Sequence, residues 1–251
     1  MTYCVGVLLD CGMVFASDSR TNAGVDHVSS FRKMTVFERP GDRVIVMLTS
    51  GNLSMTQNAL NLLDQNARRA DATSSIWTAQ SMFEVAMLLG ECMREVKRRD
   101  GPYLTQNNID ANASFILGGQ IKGEGQRLFM LYQEGNFIEA MSDTPFFQVG
   151  ETKYGKPIID RVVKPSTTVI DATKCVLISF DSTMRSNVSV GLPIDLLCYQ
   201  NNQLRVQLKR RITETDPYFT MIHHQWGEGL RRVFAQLPDP YWEEDSGASW
   251  R

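Results

Sequence analysis

The order of the predicted elements indicates an α+β protein, with two antiparallel sheets and helices outside both. Along the 251 residues, strands, two helices, strands, two helices, strands and a last helix follow one another. This order differs from the strict βαβ alternation of a doubly wound parallel sheet. The chain also opens on a hairpin, with strands over 3–9 and 13–17 around the turn at Asp10-Cys11-Gly12. Because no stretch rich in Pro, Gly and Ser offers a linker in mid-chain, we expect one domain over 1–251, with an irregular extension from about residue 237.

The remaining elements follow from the spacing of apolar residues. Alternating or continuous short apolar runs predict strands over 33–37, 44–49, 112–117, 127–133, 137–141, 194–199 and 204–211. Apolar residues at helical spacing predict helices over 53–67, 82–96, 154–163, 172–185 and 219–234. The polar stretch 18–30 is expected to lack regular structure, and Gly118-Gly119 is interpreted as a turn.

Composition excludes several classes of protein. With 26 basic and 28 acidic residues the net charge is -2, so no strong field favours binding to nucleic acid or to an anionic membrane. The longest apolar runs are far shorter than the roughly 20 residues that a membrane-spanning helix needs. No signal peptide is visible, and five cysteines without a CxxC pair favour free thiols over disulfides or a zinc site. We therefore expect a cytoplasmic location, no cofactor and no metal.

The second residue offers a complete nucleophile once Met1 is removed. Thr2 would then carry a hydroxyl and a free α-amine, whose ordinary pKa of about 7.7 to 8.0 lets it act as a base near neutral pH. A neighbouring lysine ammonium would keep this amine neutral, and a carboxylate would orient the lysine. Lys33 and Asp18 are the candidates for these two roles. His27, His223 and His224 do not form a Ser-His-Asp pattern, because no Gly-x-Ser-x-Gly elbow accompanies them.

These residues also carry a family resemblance. An N-terminal Thr, an Asp 16 residues later, a following Ser-Arg with Ala-Gly, and a Lys opening the next strand resemble the proteasome β-subunits and the bacterial HslV peptidase. The opening Met-Thr-Tyr-Cys-Val-Gly and the segment 18–27 resemble most closely the bacterial ancestral β-subunit family called Anbu. The likeness extends through most of the chain and weakens after about Thr213.

The resemblance implies a four-layer αββα sandwich of the N-terminal-nucleophile hydrolase type. It also implies an oxyanion-binding N–H at Gly51, a supporting hydroxyl at Ser189, and substrate contacts by Thr21, Phe31, Thr49 and Leu53. Two positions depart from the family pattern. Glu151 occupies the place of a serine near the nucleophile's amine, and Ser186 replaces an aspartate.

The function that follows is amide hydrolysis by a threonine peptidase, with acyl transfer through Thr2 and a peptide or protein as substrate. The alternative is a catalytically silent assembly subunit of the proteasome type. A metal-dependent hydrolase is less favoured, because the sequence has no ligand cluster of the right spacing. The resemblance further implies a homo-oligomer, either a ring or an open spiral, whereas an ATPase partner stays undetermined.

Overall fold

A computed structural model of the protein describes residues 2–22, 28–68 and 74–240. Within these ranges the chain forms an α+β fold, as predicted. The strands are β1 (Tyr3–Leu9), β2 (Gly12–Asp18), β3 (Arg20–Asn22), β4 (Val28–Ser30), β5 (Met34–Arg39), β6 (Arg43–Gly51), β7 (Ala113–Ile121), β8 (Arg127–Leu131), β9 (Phe137–Glu139), β10 (Phe146–Gly150), β11 (Ile194–Gln200) and β12 (Leu208–Ile212). The helices are α1 (Leu53–Arg68), α2 (Met82–Gln106), α3 (Lys156–Val162), α4 (Val169–Ser186) and α5 (Pro217–Gln236).

Two five-stranded antiparallel sheets organise the described chain. The first sheet has the order β10-β1-β2-β11-β12, and the second has the order β5-β6-β7-β8-β9. The short strands β3 and β4 form a separate antiparallel pair. The strand β1 is therefore an interior strand between β10 and β2, and its first residue, Tyr3, pairs with Gly150 at the end of β10.

Three apolar cores hold these layers together. One core joins the first sheet to α3, α4 and the start of α5, and a second joins the second sheet to α1 and α2. The third core takes residues from both sheets, among them Phe15, Val46 and Ile116. Side chains alternate along a strand between the two faces of a sheet. Tyr3 and Val5 of β1 consequently join the first core, and Cys4 joins the third.

Several boundaries differ from the sequence-based expectation. β3, β4 and β10 were not predicted, and α2 continues to Gln106 instead of ending near residue 96. The last strand starts at Leu208 rather than 204, because Leu204 has a left-handed φ of 46° that interrupts extended pairing. The expected extension after residue 240 and His27 lie outside the described residues.

Gly118 and Gly119 do not form the turn that the sequence suggested. Both lie inside β7, where the phenyl ring of Phe15 would come within 2.7 Å of a Cβ atom on Gly118. The backbone carbonyl of Val44 would clash with a Cβ atom on Gly119. These glycines are explained by close packing of the neighbouring strand and of the facing sheet.

Helix α5 packs on the rest of the described chain through its first half. Phe219 and Ile222 are buried, whereas Leu230, Val233 and Phe234 are exposed. Helix-spaced apolar residues thus remain uncovered on the distal half of α5. Among the residues that the structure describes, no helix combines the length and the apolar character needed to cross a membrane.

Candidate active site

A cavity of about 690 Å³ opens where β1, β5, β6 and the end of β10 meet. Ten of its thirteen lining residues come from the segments 29–33 and 49–56, and the other three are Thr2, Gly150 and Glu151. Of the nine residues predicted for the site, six line this cavity: Thr2, Phe31, Lys33, Thr49, Gly51 and Leu53. Six residues that lie far apart along the chain, and that the sequence assigned to one site, therefore line one cavity.

Behind the cavity wall, Asp18 and Lys33 form a buried ion pair. The Lys33 Nζ atom lies 2.7 Å from Asp18 Oδ1, and it also donates to the backbone carbonyl of Arg20 at 2.7 Å. Only 5 % of Lys33 is exposed, and none of Asp18. Because the ammonium has two oxygen acceptors at short distance, its position is fixed although Lys33 lines an open cavity.

The same carboxylate anchors the first strand. Asp18 Oδ1 accepts a hydrogen bond from the backbone N–H of Tyr3 at 3.0 Å. Burial raises the pKa of Asp18, while the Lys33 ammonium and the backbone N–H groups of Tyr3 and Gly191 oppose that rise. One carboxylate thus connects Lys33 to the residue that follows Thr2.

The other side of Thr2 is held by the end of β10. The backbone N–H of Glu151 donates to the Thr2 carbonyl at 2.7 Å. Gly150 has a left-handed φ of 87°, and a Cβ atom at this position would clash with the Thr2 carbonyl. Thr2 is 8 % exposed. Contacts from β2 and from the end of β10 therefore fix the backbone on both sides of Thr2, and Thr2 lines the cavity.

Gly51 closes the cavity where β6 leads into α1. Its φ is 100°, a conformation that favours glycine, and a Cβ atom would clash with the backbone carbonyl of Asn112. Asn52 then caps the helix, because its Oδ1 atom accepts from the backbone N–H groups of Ser54 at 3.0 Å and Met55 at 3.3 Å. The N-terminus of α1, which begins at Leu53, consequently borders the cavity.

The residues predicted to contact substrate are only partly placed by the structure. Phe31 is 40 % exposed and Thr49 is buried, with its backbone N–H donating to the Lys33 carbonyl at 2.9 Å. Leu53 is half-buried at the cavity edge. The backbone of Thr21 belongs to β3, but its side chain lies outside the described residues.

Ser189 is near the start of the loop that follows α4, and it does not line the cavity. Its hydroxyl donates to Asn187 Oδ1 at 2.5 Å. The loop is fastened to β3, since Arg20 Nη1 donates to the Val188 carbonyl at 2.7 Å. The structure thus gives Ser189 a partner within its own loop, and its predicted supporting role stays a prediction.

Two features near the site were missed by sequence reasoning. Ser29 of β4 lines the cavity, in a stretch expected to lack regular structure. Asp195 of β11 is buried, accepts from Ser19 Oγ at 3.2 Å, and pairs with Arg211 at 2.7 Å. Arg211 also donates to Ser30 Oγ at 3.2 Å, which links the first sheet to the segment leading to Lys33. These contacts join distant strands, so only the fold brings them together.

Cys4 is the thiol closest in sequence to Thr2. It is fully buried, and its Sγ atom donates to the Thr49 carbonyl at 3.5 Å. Burial raises the pKa of this thiol strongly, which opposes formation of a thiolate. The interpretation of Cys4 as a buried structural thiol agrees with these contacts.

Comparison with known proteins finds solved structures that match this fold over nearly the whole chain. No protein-family model and no curated protein matches the sequence. Among solved structures, Anbu (ancestral beta-subunit) from Yersinia bercovieri is 51 % identical, with a TM-score of 0.90, and covers 96 % of this chain and 100 % of that one. The helical assembly of the Anbu complex from Pseudomonas aeruginosa is 48 % identical over 95 % and 98 % of the two chains, with a TM-score of 0.90. Anbu from Hyphomicrobium sp. strain MC1 is 43 % identical over 96 % and 100 %, with a TM-score of 0.88.

The two antiparallel sheets and the structural matches define a protein like an ancestral proteasome β-subunit. With 51 % identity over nearly the whole length of both chains, the protein belongs to the Anbu family. The family predicted from the N-terminal residues and from the segment 18–27 is confirmed.

Proposed function

We propose that the protein is a threonine peptidase or amidase whose nucleophile is Thr2, freed by removal of Met1. The observation that carries this proposal is the buried Asp18–Lys33 pair, with its 2.7 Å contact, behind the cavity that Thr2 lines. A buried ammonium next to an α-amine disfavours a second positive charge and so keeps the amine available as a base. In the same proposal the two sheets and outer helices form the four-layer sandwich of N-terminal-nucleophile hydrolases.

The reaction would proceed in two balanced steps. In the first, Thr2 Oγ attacks the substrate carbonyl carbon while the α-amine takes the hydroxyl proton and returns it to the leaving amine. This step breaks the amide bond and forms an ester on Thr2. In the second step a water molecule, deprotonated by the same amine, attacks the ester and releases the carboxylic acid and the free hydroxyl.

The N-terminal end of α1 stabilises the negative charge that develops on the substrate carbonyl oxygen. The backbone N–H of Gly51 is the proposed donor, and such a donor typically contributes about 2.7 to 4 kcal/mol in the transition state. Ser189 is kept as a positioning residue for the amine or the water. Thr21, Phe31, Thr49 and Leu53 are proposed to hold the residue that precedes the scissile bond.

The protein is also proposed to act as a homo-oligomer, in a ring or an open spiral. The uncovered apolar residues Leu230, Val233 and Phe234 on α5 supply a surface that another subunit can cover. The relative from Pseudomonas aeruginosa forms a helical assembly. The cytoplasmic location stays a prediction.

Intact mass spectrometry tests the proposal. The protein is incubated with a peptide epoxyketone or a β-lactone, reagents that acylate or alkylate an N-terminal threonine, and hydrolysis of fluorogenic peptides is followed in parallel. We expect a mass lacking Met1, one adduct per chain, and loss of both adduct and hydrolysis in Thr2→Ala with assembly retained. A matched Thr220→Ala variant, on the exposed side of α5, should behave like the unaltered protein. Retention of Met1 with no adduct would instead support the silent assembly subunit.

A further inference from the structure

The charges on the cavity wall do not cancel. Lys33 and Glu151 are the charged residues among the described lining residues. Lys33 is matched by Asp18 at 2.7 Å. Within 2–22, 28–68 and 74–240, the carboxylate of Glu151 has no hydrogen bond and no ion pair, although the residue is half-buried. The wall therefore carries one uncompensated negative charge.

Glu151 is also held at a fixed place relative to the nucleophile. Its backbone N–H donates to the Thr2 carbonyl at 2.7 Å, and the preceding Gly150 packs against that carbonyl. The pairing of β1 with β10 ends at Tyr3 and Gly150, and Thr2 and Glu151 are the next residue on each chain beyond that pair. Both residues line the cavity. A group that reaches the Glu151 carboxylate is consequently close to the reacting bond.

The remaining wall suits a side chain with an apolar stem. Phe31 presents a 40 % exposed ring, and Leu53 adds an aliphatic surface. The hydroxyl-bearing residues Ser29, Ser50, Ser54 and Thr56 also line the cavity. Lysine and arginine combine an aliphatic stem with a cationic end, and the guanidinium of arginine also stacks on aromatic rings.

We propose that Glu151 determines specificity, by binding a cationic side chain of the substrate next to the scissile bond. The inference rests on the proposed function and names its substrate class, peptides with Lys or Arg at this position. An acidic side chain there is disfavoured by repulsion, and a neutral apolar one leaves the carboxylate unpaired.

The test uses peptide epoxyketones that differ only in the residue bearing the reactive group: arginine, norleucine or glutamate. The rate constant for adduct formation on Thr2 is measured for each by intact mass. We expect arginine to exceed norleucine by about tenfold, a value between those of exposed and buried charge pairs, and glutamate to react slowest. In Glu151→Gln the arginine-to-norleucine ratio should fall close to one. In Glu151→Lys the order of arginine and glutamate should reverse.

A matched control is Glu214→Gln. Glu214 is exposed and follows β12, at the opposite edge of the first sheet from β10, so the rate ratios should be unchanged. If the arginine-to-norleucine ratio in Glu151→Gln equals that of the unaltered protein, the inference is overturned while the proposed function stands. The inference would also be overturned if Glu151→Gln shifted the pH dependence of the rate of adduct formation equally with all three probes. Glu151 would then act on the Thr2 amine and not on the side chain of the substrate. If no probe labels Thr2 in the unaltered protein, the proposed function itself fails.

Discussion

Removing the cation of the Asp18–Lys33 pair gives the most quantitative prediction. In Lys33→Met the Asp18 carboxyl stays buried beside an apolar side chain and loses the ammonium that lies 2.7 Å away. The pKa of Asp18, already raised by burial, then rises further because Lys33 no longer opposes the shift. Asp18 in the folded variant must either stay charged without a partner or bind a proton.

The free energy needed to protonate Asp18 sets an upper bound on the loss of stability in Lys33→Met. An ordinary aspartate has a pKa of about 3.9, and one pKa unit corresponds to about 1.4 kcal/mol, so protonation at pH 7 costs about 4 kcal/mol. This bound lies within the 3 to 5 kcal/mol typical of breaking a buried ion pair. We expect Lys33→Met to lower the free energy of unfolding at pH 7 by about 3 to 4 kcal/mol.

The pH dependence of this loss has a definite sign. In the variant the folded state holds a proton on Asp18 that the unfolded state releases above its ordinary pKa, so stability increases as pH falls. Between pH 7 and pH 5 the difference from the unaltered protein should shrink by roughly 1.4 kcal/mol per unit. Urea unfolding followed by circular dichroism at several pH values measures it, in parallel with labelling of Thr2, which should be lost.

The control for this experiment is Lys209→Met on the exposed face of β12, which should change stability by less than about 0.5 kcal/mol. A loss below 1 kcal/mol in Lys33→Met, or a loss of 3 to 4 kcal/mol that does not vary with pH, would contradict the assigned role of the pair. Labelling of Thr2 at the unaltered rate in Lys33→Met would contradict the proposed role of Lys33 in catalysis.

Three further predictions follow from single contacts. Gly150→Ala should displace the Thr2 backbone and reduce labelling by at least tenfold, because the new Cβ atom clashes with the Thr2 carbonyl; unchanged labelling would contradict this anchoring. Asn52→Ala should lower the free energy of unfolding by about 1 kcal/mol, since α1 loses its cap, and urea titration measures it. Ellman's reagent at pH 8 should react rapidly with the exposed Cys11 alone, and with all five thiols only after unfolding. Burial raises the pKa of the other thiols, to about 11 for Cys92 and Cys175, so rapid native reaction of more than one thiol would refute their burial.

The local patterns of the sequence were sufficient for most of the elements. The hairpin of β1 and β2 and the helices α1 and α4 follow from apolar periodicity, which records which face each element buries. The β3–β4 pair was missed because it consists of two three-residue strands in a polar stretch. In α2, Gly101 and Pro102 stand within the last turns, and residues of this kind normally indicate the end of a helix.

The sequence allowed the residues of a candidate site to be named, but it did not give their full geometry. Thr2, Asp18 and Lys33 could be chosen from the sequence because a nucleophile with its own amine requires one cation and one carboxylate. The position of Glu151 depends on the register between β1 and β10, which no local pattern encodes. Likewise, the contact of Arg211 with Ser30 joins residues that are 181 positions apart in sequence.

In the proposed reaction the hydroxyl of Thr2, at the start of the processed chain, attacks the substrate. Tandem mass spectrometry of the tryptic peptide covering residues 2–20, taken after reaction with a peptide epoxyketone, tests it most directly. We expect a peptide without Met1 that carries the adduct on Thr2. An adduct on Cys4 or Cys11, or a labelled peptide that still begins with Met1, would contradict it.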